Sequence, residues 1–160
     1  NNEVFLKRED LQDVFSFKVR GAYNKMSKLT NSQLAQGVIT SSAGNHAQGV
    51  ALSALKLNCQ ATILMPITTP LVKVNAVKNL KAKVILFGDN YDETYKEAIR
   101  ISQERNLCFI HPFDDPDVIA GQGTIAIEIE QQLKDKPYAI YIAVGGGGLI
   151  SGISLSLIHI

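Results

Sequence analysis

From about residue 38 the chain alternates short apolar runs with longer stretches of helical spacing. Val38–Ser41 predicts a short strand, and Asn45–Leu57, rich in Ala and Leu, predicts the helix that follows it. Ala61–Met65 predicts a strand stopped by Pro66, and Pro70 opens a helix that runs towards Leu80, since a first helical turn tolerates proline. Lys83–Phe87 is a predicted strand ended by Gly88, and Tyr91–Asn106 a helix with Tyr95, Ile99 and Ser102 on one face. Leu107–His111 predicts another strand, Val118–Lys134 a helix and Tyr138–Val144 a strand buried on both faces. Within the helix, Ile125–Ile129 also fits a period of two. Its length and the Gln, Glu and Lys at its end favour helix. Before the series, Phe5–Lys7 predicts a strand and Phe17–Lys28 a helix capped by Ser16. Repeated β-α order with short connections predicts an α/β fold, a parallel sheet with helices on both faces.

Composition narrows the classes of function. The 160 residues are 46% hydrophobic and 19% charged, which supplies a core for one domain or pieces of two and argues against disorder. A net charge of +1 and the lack of a Lys/Arg cluster leave no field for nucleic acid, and no apolar run reaches membrane-spanning length. Cys59 and Cys108 lie in unrelated segments and are expected to be small core residues in a reducing compartment. His46, His111 and His159 show no metal-ligand spacing, so no metal site is expected.

Three segments carry candidate chemistry. Gly145–Gly148 follows a predicted strand, and Leu149–Ile153 reads as the start of a helix. Bare N–H groups converging at a helix N-terminus suit a phosphate, although the run has neither dinucleotide-fingerprint nor Walker spacing and a tight turn would also explain it. Lys18 falls in the first turn of its helix, where the dipole disfavours a cation, and Arg20 adds like-charge repulsion. Both effects would lower the amine's pKa, as a nucleophilic lysine requires, against the plainer reading of a solvated side chain. The loop Ser41–Gly49 joins a strand to a helix with small residues, so its N–H groups could hold a carboxylate. Asn45 there could equally be a helix cap and His46 a packing residue. A non-covalent nucleotide-binding module and a catalytically silent fragment remain open on these residues alone.

Together the segments resemble the pyridoxal-phosphate enzymes of the tryptophan-synthase-β structural class (fold type II), and within them the threonine dehydratases. The resemblance rests on Ser16-Phe17-Lys18-Val19-Arg20-Gly21-Ala22, on Ser42-Ala43-Gly44-Asn45-His46 and on Gly145–Leu149. It extends through Lys7–Gln12 and Asp114–Gly123, to about Ile153. It implies pyridoxal 5'-phosphate carried covalently on Lys18, with Asn45 beside its ring and Gly145, Gly146, Gly147, Gly148 and Leu149 holding its phosphate. The substrate carboxylate would settle on Ser42, Ala43, Gly44, Asn45 and His46, and the freed Lys18 amine would remove the α-proton. The implied reaction is deamination of L-threonine to 2-oxobutanoate and ammonia, the first step of isoleucine biosynthesis.

Within the family, Leu6-Lys7-Arg8-Glu9-Asp10-Leu11-Gln12 resembles the biosynthetic type. The alternatives are a serine/threonine dehydratase or a serine racemase. The racemases similar to this chain carry a proton-handling serine where Ala43 stands, and an alanine moves no proton. The resemblance further implies an amino-acid substrate and a homo-oligomer, dimer or tetramer, when complete. It implies a cytoplasmic enzyme in a bacterium, or a mitochondrial or plastid one in a eukaryote. Residues 28–112 are expected to form a small parallel α/β domain, and 1–27 with 113–160 part of a larger cofactor-binding domain. Residue 1 is Asn and the last helix is short, so the chain reads as a fragment, inactive by itself. Ser154–Ile160 departs from the family's pattern and is expected to be non-native.

Overall fold

The structure is a computed structural model and describes residues 3–159. Four strands form one parallel sheet in the order β3-β2-β1-β4: β1 Val38–Ser41, β2 Ala61–Met65, β3 Lys83–Leu86 and β4 Cys108–Phe109. Val38 pairs with Ala61 on one side and Cys108 on the other, and Thr62 pairs with Lys83. The two central strands are buried along their whole length, which is why both read as continuous apolar and β-branched runs. β3 is an edge strand, and its outer positions are exposed.

Among the described residues seven α-helices accompany the sheet, besides a short 3-10 turn at Glu9–Leu11: α1 Lys18–Ser27, α2 Asn31–Gln36, α3 Asn45–Lys56, α4 Leu71–Asn79, α5 Tyr91–Arg105, α6 Pro116–Gln132 and α7 Gly148–His159. Alternation along the strands sorts them by face. Val38, Ile63 and Met65 pack with Val50 and Ala54 of α3, Val74 and Val77 of α4, and Met26 of α1. Ile39 and Leu64 point the other way, onto Ala98 and Ile101 of α5. Each of these Val, Leu, Ile and Met side chains contributes about 1.5–3 kcal/mol by burial, and each alanine methyl less. The expected α/β sheet with helices on both faces is therefore present.

Several local expectations differ from the structure. The buried side of α5 is Thr94, Ala98 and Ile101, one position before the expected stripe, because these residues face the sheet. Ile125–Ile129 lies inside α6 and is helical. Pro70 is the N-cap of α4 and not part of its first turn. β4 stops at Phe109 because the Ile110 carbonyl is taken by side chains, the Thr40 hydroxyl at 2.8 Å and a His46 ring nitrogen at 3.0 Å. Phe5–Lys7 and Tyr138–Val144 are not strands; Phe5 is 62% exposed and Tyr141 97% exposed. A strand needs a neighbour for its N–H and C=O groups, and among the described residues the ladder pairs only strands β1 to β4 and neither of these segments. Helix α2 was not anticipated, although Thr30-Asn31-Ser32-Gln33 has the spacing of a capping box and forms one. Cys59 and Cys108 are free, half-buried thiols at the margin of the main core.

Outside the sheet, α1 lies on α3, α6 on α1 and α7 on α6. The α1–α6 crossing depends on paired glycines: a Cβ on Gly121 would lie 2.6 Å from both the Arg20 carbonyl oxygen and the Gly21 Cα. Backbone stands against backbone there, so no side chain can swing aside. Gly121→Ala should destabilise the protein by about 1–3 kcal/mol, read as a lower denaturant midpoint. Wild-type stability in that variant would show that the helices part without loss.

Candidate active site

Lys18 is the first residue of α1. Its N-cap is Phe17 and no side chain caps the helix, so Ser16 is not the expected cap; its hydroxyl is buried with no hydrogen-bond partner. The Lys18 amine donates to the Pro112 carbonyl at 2.7 Å and lies 5.3 Å from the Phe17 ring centroid. Burial pushes its pKa below the usual lysine value. Arg20 is not the cause that the sequence suggested, because its guanidinium turns away to Glu9 at 2.7 Å and Glu128 at 2.5 Å, with Thr124 at 3.0 Å.

That arginine fastens the site's framework. Lys7 joins Glu128 at 2.5 Å, so the segment before α1 and the middle of α6 are tied to one guanidinium. Arg20 and Lys7 pull the Glu128 carboxyl from 4.5 down to about 2. A depressed carboxyl pKa adds stability above its unfolded value and loses it as the pH falls through the folded one. Acid titration should therefore release this contribution between about pH 4.5 and 2. Solvent screening of the part-exposed Glu128 limits it to about 1 kcal/mol. Glu128→Gln should flatten the stability profile in that window, as measured by denaturant melts; an unchanged slope would show the pair contributes nothing.

Asn45, the first residue of α3, follows the N-cap Gly44 and is exposed, so it is a helix residue and not the cap. One turn on, Gly49 abuts the backbone of Lys18 and Val19, where a Cβ would lie 2.9–3.0 Å away. The starts of α1 and α3 are thereby side by side. In the loop, Ser42 and Ala43 are half-buried, and the Ser42 hydroxyl accepts from the Gly44 N–H at 3.2 Å. The His46 ring is buried. Its Nε2 is 3.0 Å from the Ile110 carbonyl, which can only accept, and its Nδ1 has no partner. Burial pushes its pKa down to about 4, so the imidazole is a neutral packing group, and the backbone N–H of residue 46 lies in the first turn of α3, where N–H groups have no intrahelical partner.

Gly145 and Gly146 are exposed, Gly147 has φ +90°, and Gly148 begins α7 with Leu149 behind it. A Cβ on Gly145 or Gly147 would meet nothing within 4 Å, so these two line open space. Gly146 and Gly148 instead rest on Phe113, whose carbonyl oxygen would lie 2.7 Å from a Gly148 Cβ. Pro112 thus receives the Lys18 amine while its neighbour Phe113 backs the glycine loop. Both lie just past the C-terminal end of β4, beside the C-terminal end of β1. In an open parallel sheet, ligands bind where the strand order reverses, here at β1. Pro112 and Phe113 escaped the reading of the sequence; a proline after a strand end was the available signal.

The arrangement fits pyridoxal phosphate: an amine of lowered pKa for the aldehyde, and an open glycine loop at a helix N-terminus for the phosphate. Among the described residues no three His, Cys, Asp or Glu side chains gather as a metal site, and no helix is long and apolar enough to cross a membrane.

The family model for pyridoxal-phosphate dependent enzymes matches residues 1–159, and the chain belongs to that family. It is 63% identical over 151 residues to the biosynthetic, chloroplastic threonine dehydratase of Arabidopsis thaliana, covering 94% of this chain and 26% of that protein. It is 54% identical over 156 residues to the biosynthetic L-threonine dehydratase of Burkholderia multivorans, covering 96% of this chain and 31% of the other. The processed form of threonine deaminase isoform 2 from Solanum lycopersicum superposes with a TM-score of 0.93 at 56% identity, over 96% of this chain and 42% of that one. The chain spans about a quarter to a third of the length of the curated relatives it matches. Its fold is that of fold-type II pyridoxal-phosphate enzymes.

Proposed function

We propose that the protein to which this chain belongs is a pyridoxal-phosphate-dependent threonine dehydratase, converting L-threonine to 2-oxobutanoate and ammonia as the entry to isoleucine biosynthesis. The observation that carries the reading is the partly buried Lys18 amine, held by Pro112 next to the residue that backs the glycine loop. Identity of 54–63% to biosynthetic threonine dehydratases supports the choice of substrate.

Lys18 would hold the cofactor and, once free, take the substrate's α-proton; burial favours the neutral amine that both tasks need. Asn45 would lie beside the ring, and Gly145–Leu149 would hold the phosphate through backbone N–H groups. The loop Ser42–His46 would receive the substrate carboxylate at the uncapped start of α3. When bound, pyridoxal phosphate supplies an electron sink for charge developing at the α-carbon. Residues 28–112 would be the small domain, and 1–27 with 113–160 part of the large one. The relatives' bacterial and chloroplastic origins fit a cytoplasmic or organellar enzyme, and a homo-oligomer, dimer or tetramer, is the assembly we assign to it.

Turnover by the full-length protein tests the reading: L-threonine should yield 2-oxobutanoate, and a cofactor-loaded protein that releases none would contradict it. Ala43 bears on specificity. Racemisation needs a second acid on the face opposite Lys18, and an alanine supplies none. Wild-type protein given L-serine should form almost no D-serine, and Ala43→Ser should raise it measurably by chiral chromatography while threonine elimination changes little. Substantial D-serine from the unmutated enzyme would show that Ala43 does not set the outcome.

A further inference from the structure

The turn after β4 joins the separate parts of the site, and one side chain inside it has no assigned task. The His111 Nδ1 lies 2.7 Å from the Asp114 N–H and 3.3 Å from the Phe113 N–H. Both neighbours are donors, so Nδ1 is the acceptor and the ring's proton sits on Nε2. The imidazole therefore does for this turn what an Asx side chain does elsewhere: it accepts the N–H groups two and three residues ahead. The ring itself is wedged edge-on between aromatics, its centroid 4.8 Å from that of Phe113 and 6.1 Å from that of Phe109. Between His111 and Asp114 lie the two residues that organise the site, Pro112 under the Lys18 amine and Phe113 under Gly146 and Gly148.

We propose that His111 is a positioning residue: its neutral imidazole caps the 111–114 turn and so holds the Pro112 carbonyl against Lys18 and Phe113 against the glycine loop. The consequence for cofactor capture rests on the function proposed above; the capping of the turn does not. Only the neutral ring can accept, and burial supports that form, with Lys18 acting in the same sense and Asp114 and Asp115 opposing it.

Two substitutions separate the acceptor from the packing. His111→Phe keeps an aromatic ring and removes the acceptor; His111→Asn removes the ring and keeps an acceptor of Asx geometry. In cofactor-free full-length protein, amide hydrogen exchange at Phe113 and Asp114 reads the turn directly. In the same protein given pyridoxal phosphate and then borohydride, peptide mapping reads the rate at which Lys18 is labelled. His111→Phe should speed exchange at Asp114 and slow Lys18 labelling, each by about tenfold, the scale of one lost hydrogen bond, and His111→Asn should return both to within about threefold of wild type. Wild-type exchange in His111→Phe, or no recovery in a folded His111→Asn, would overturn the proposal. If His111→Phe does not fold, His111→Asn decides alone: near-wild-type exchange at Asp114 supports the cap, and fast exchange overturns it. Wild-type protein that labels nowhere on Lys18 would instead refute the proposed function, leaving the exchange measurement to judge the turn.

Discussion

Lys18→Ala should lower threonine deamination by the full-length protein at least about 10³–10⁴-fold, because one substitution removes both the cofactor's point of attachment and the α-proton's acceptor. The amine is partly buried and bonded to the Pro112 carbonyl, so an alanine leaves that carbonyl without its donor and puts no other amine in its place. Lys18→Arg should not rescue activity, since a guanidinium neither loses its proton in a protein nor forms the same bond. Steady-state kinetics on variants confirmed to be folded would decide. Retention of wild-type kcat in Lys18→Ala would remove the lysine from the chemistry.

The second large effect is expected at Gly148. A Cβ there would sit 2.7 Å from the Phe113 carbonyl oxygen and 3.0 Å from its Cα, so the obstacle is mainly backbone. Relief requires the start of α7 to move off the turn that also carries Pro112. Overpacking of this kind costs about 1–3 kcal/mol, and if it falls on the phosphate loop, Gly148→Ala should weaken cofactor binding about ten- to a hundredfold. Equilibrium titration of the apoprotein with pyridoxal phosphate measures it. Wild-type affinity in that variant would show that the helix start does not hold the phosphate.

The sheet was legible because β1 and β2 are short apolar runs bounded by turn residues, and because helical spacing recurs between them. What escaped depends on partners that lie far off in sequence. Tyr138–Val144 has the composition of a buried strand, yet composition supplies no neighbouring edge, and all but Ile140 and Ile142 of the segment are exposed. Arg20, two residues after Lys18, reads as a repelling charge until Glu9 and Glu128 are seen to take it. Lys18, the Ser42–His46 loop and Gly145–Leu149 stood out through motif and resemblance. Lys18 and the glycine loop meet at the turn of Pro112 and Phe113, residue types that carry no chemistry of their own. Its acceptor, His111, reads as an isolated histidine because a backbone N–H partner leaves no mark in sequence.

The central claim, that Lys18 carries the cofactor, is tested most directly by borohydride reduction of the full-length protein with pyridoxal phosphate bound, followed by peptide mapping. The account predicts a single stable cofactor adduct on the peptide containing Lys18, lost in Lys18→Ala. An adduct on another lysine, or one undiminished in Lys18→Ala, would contradict it.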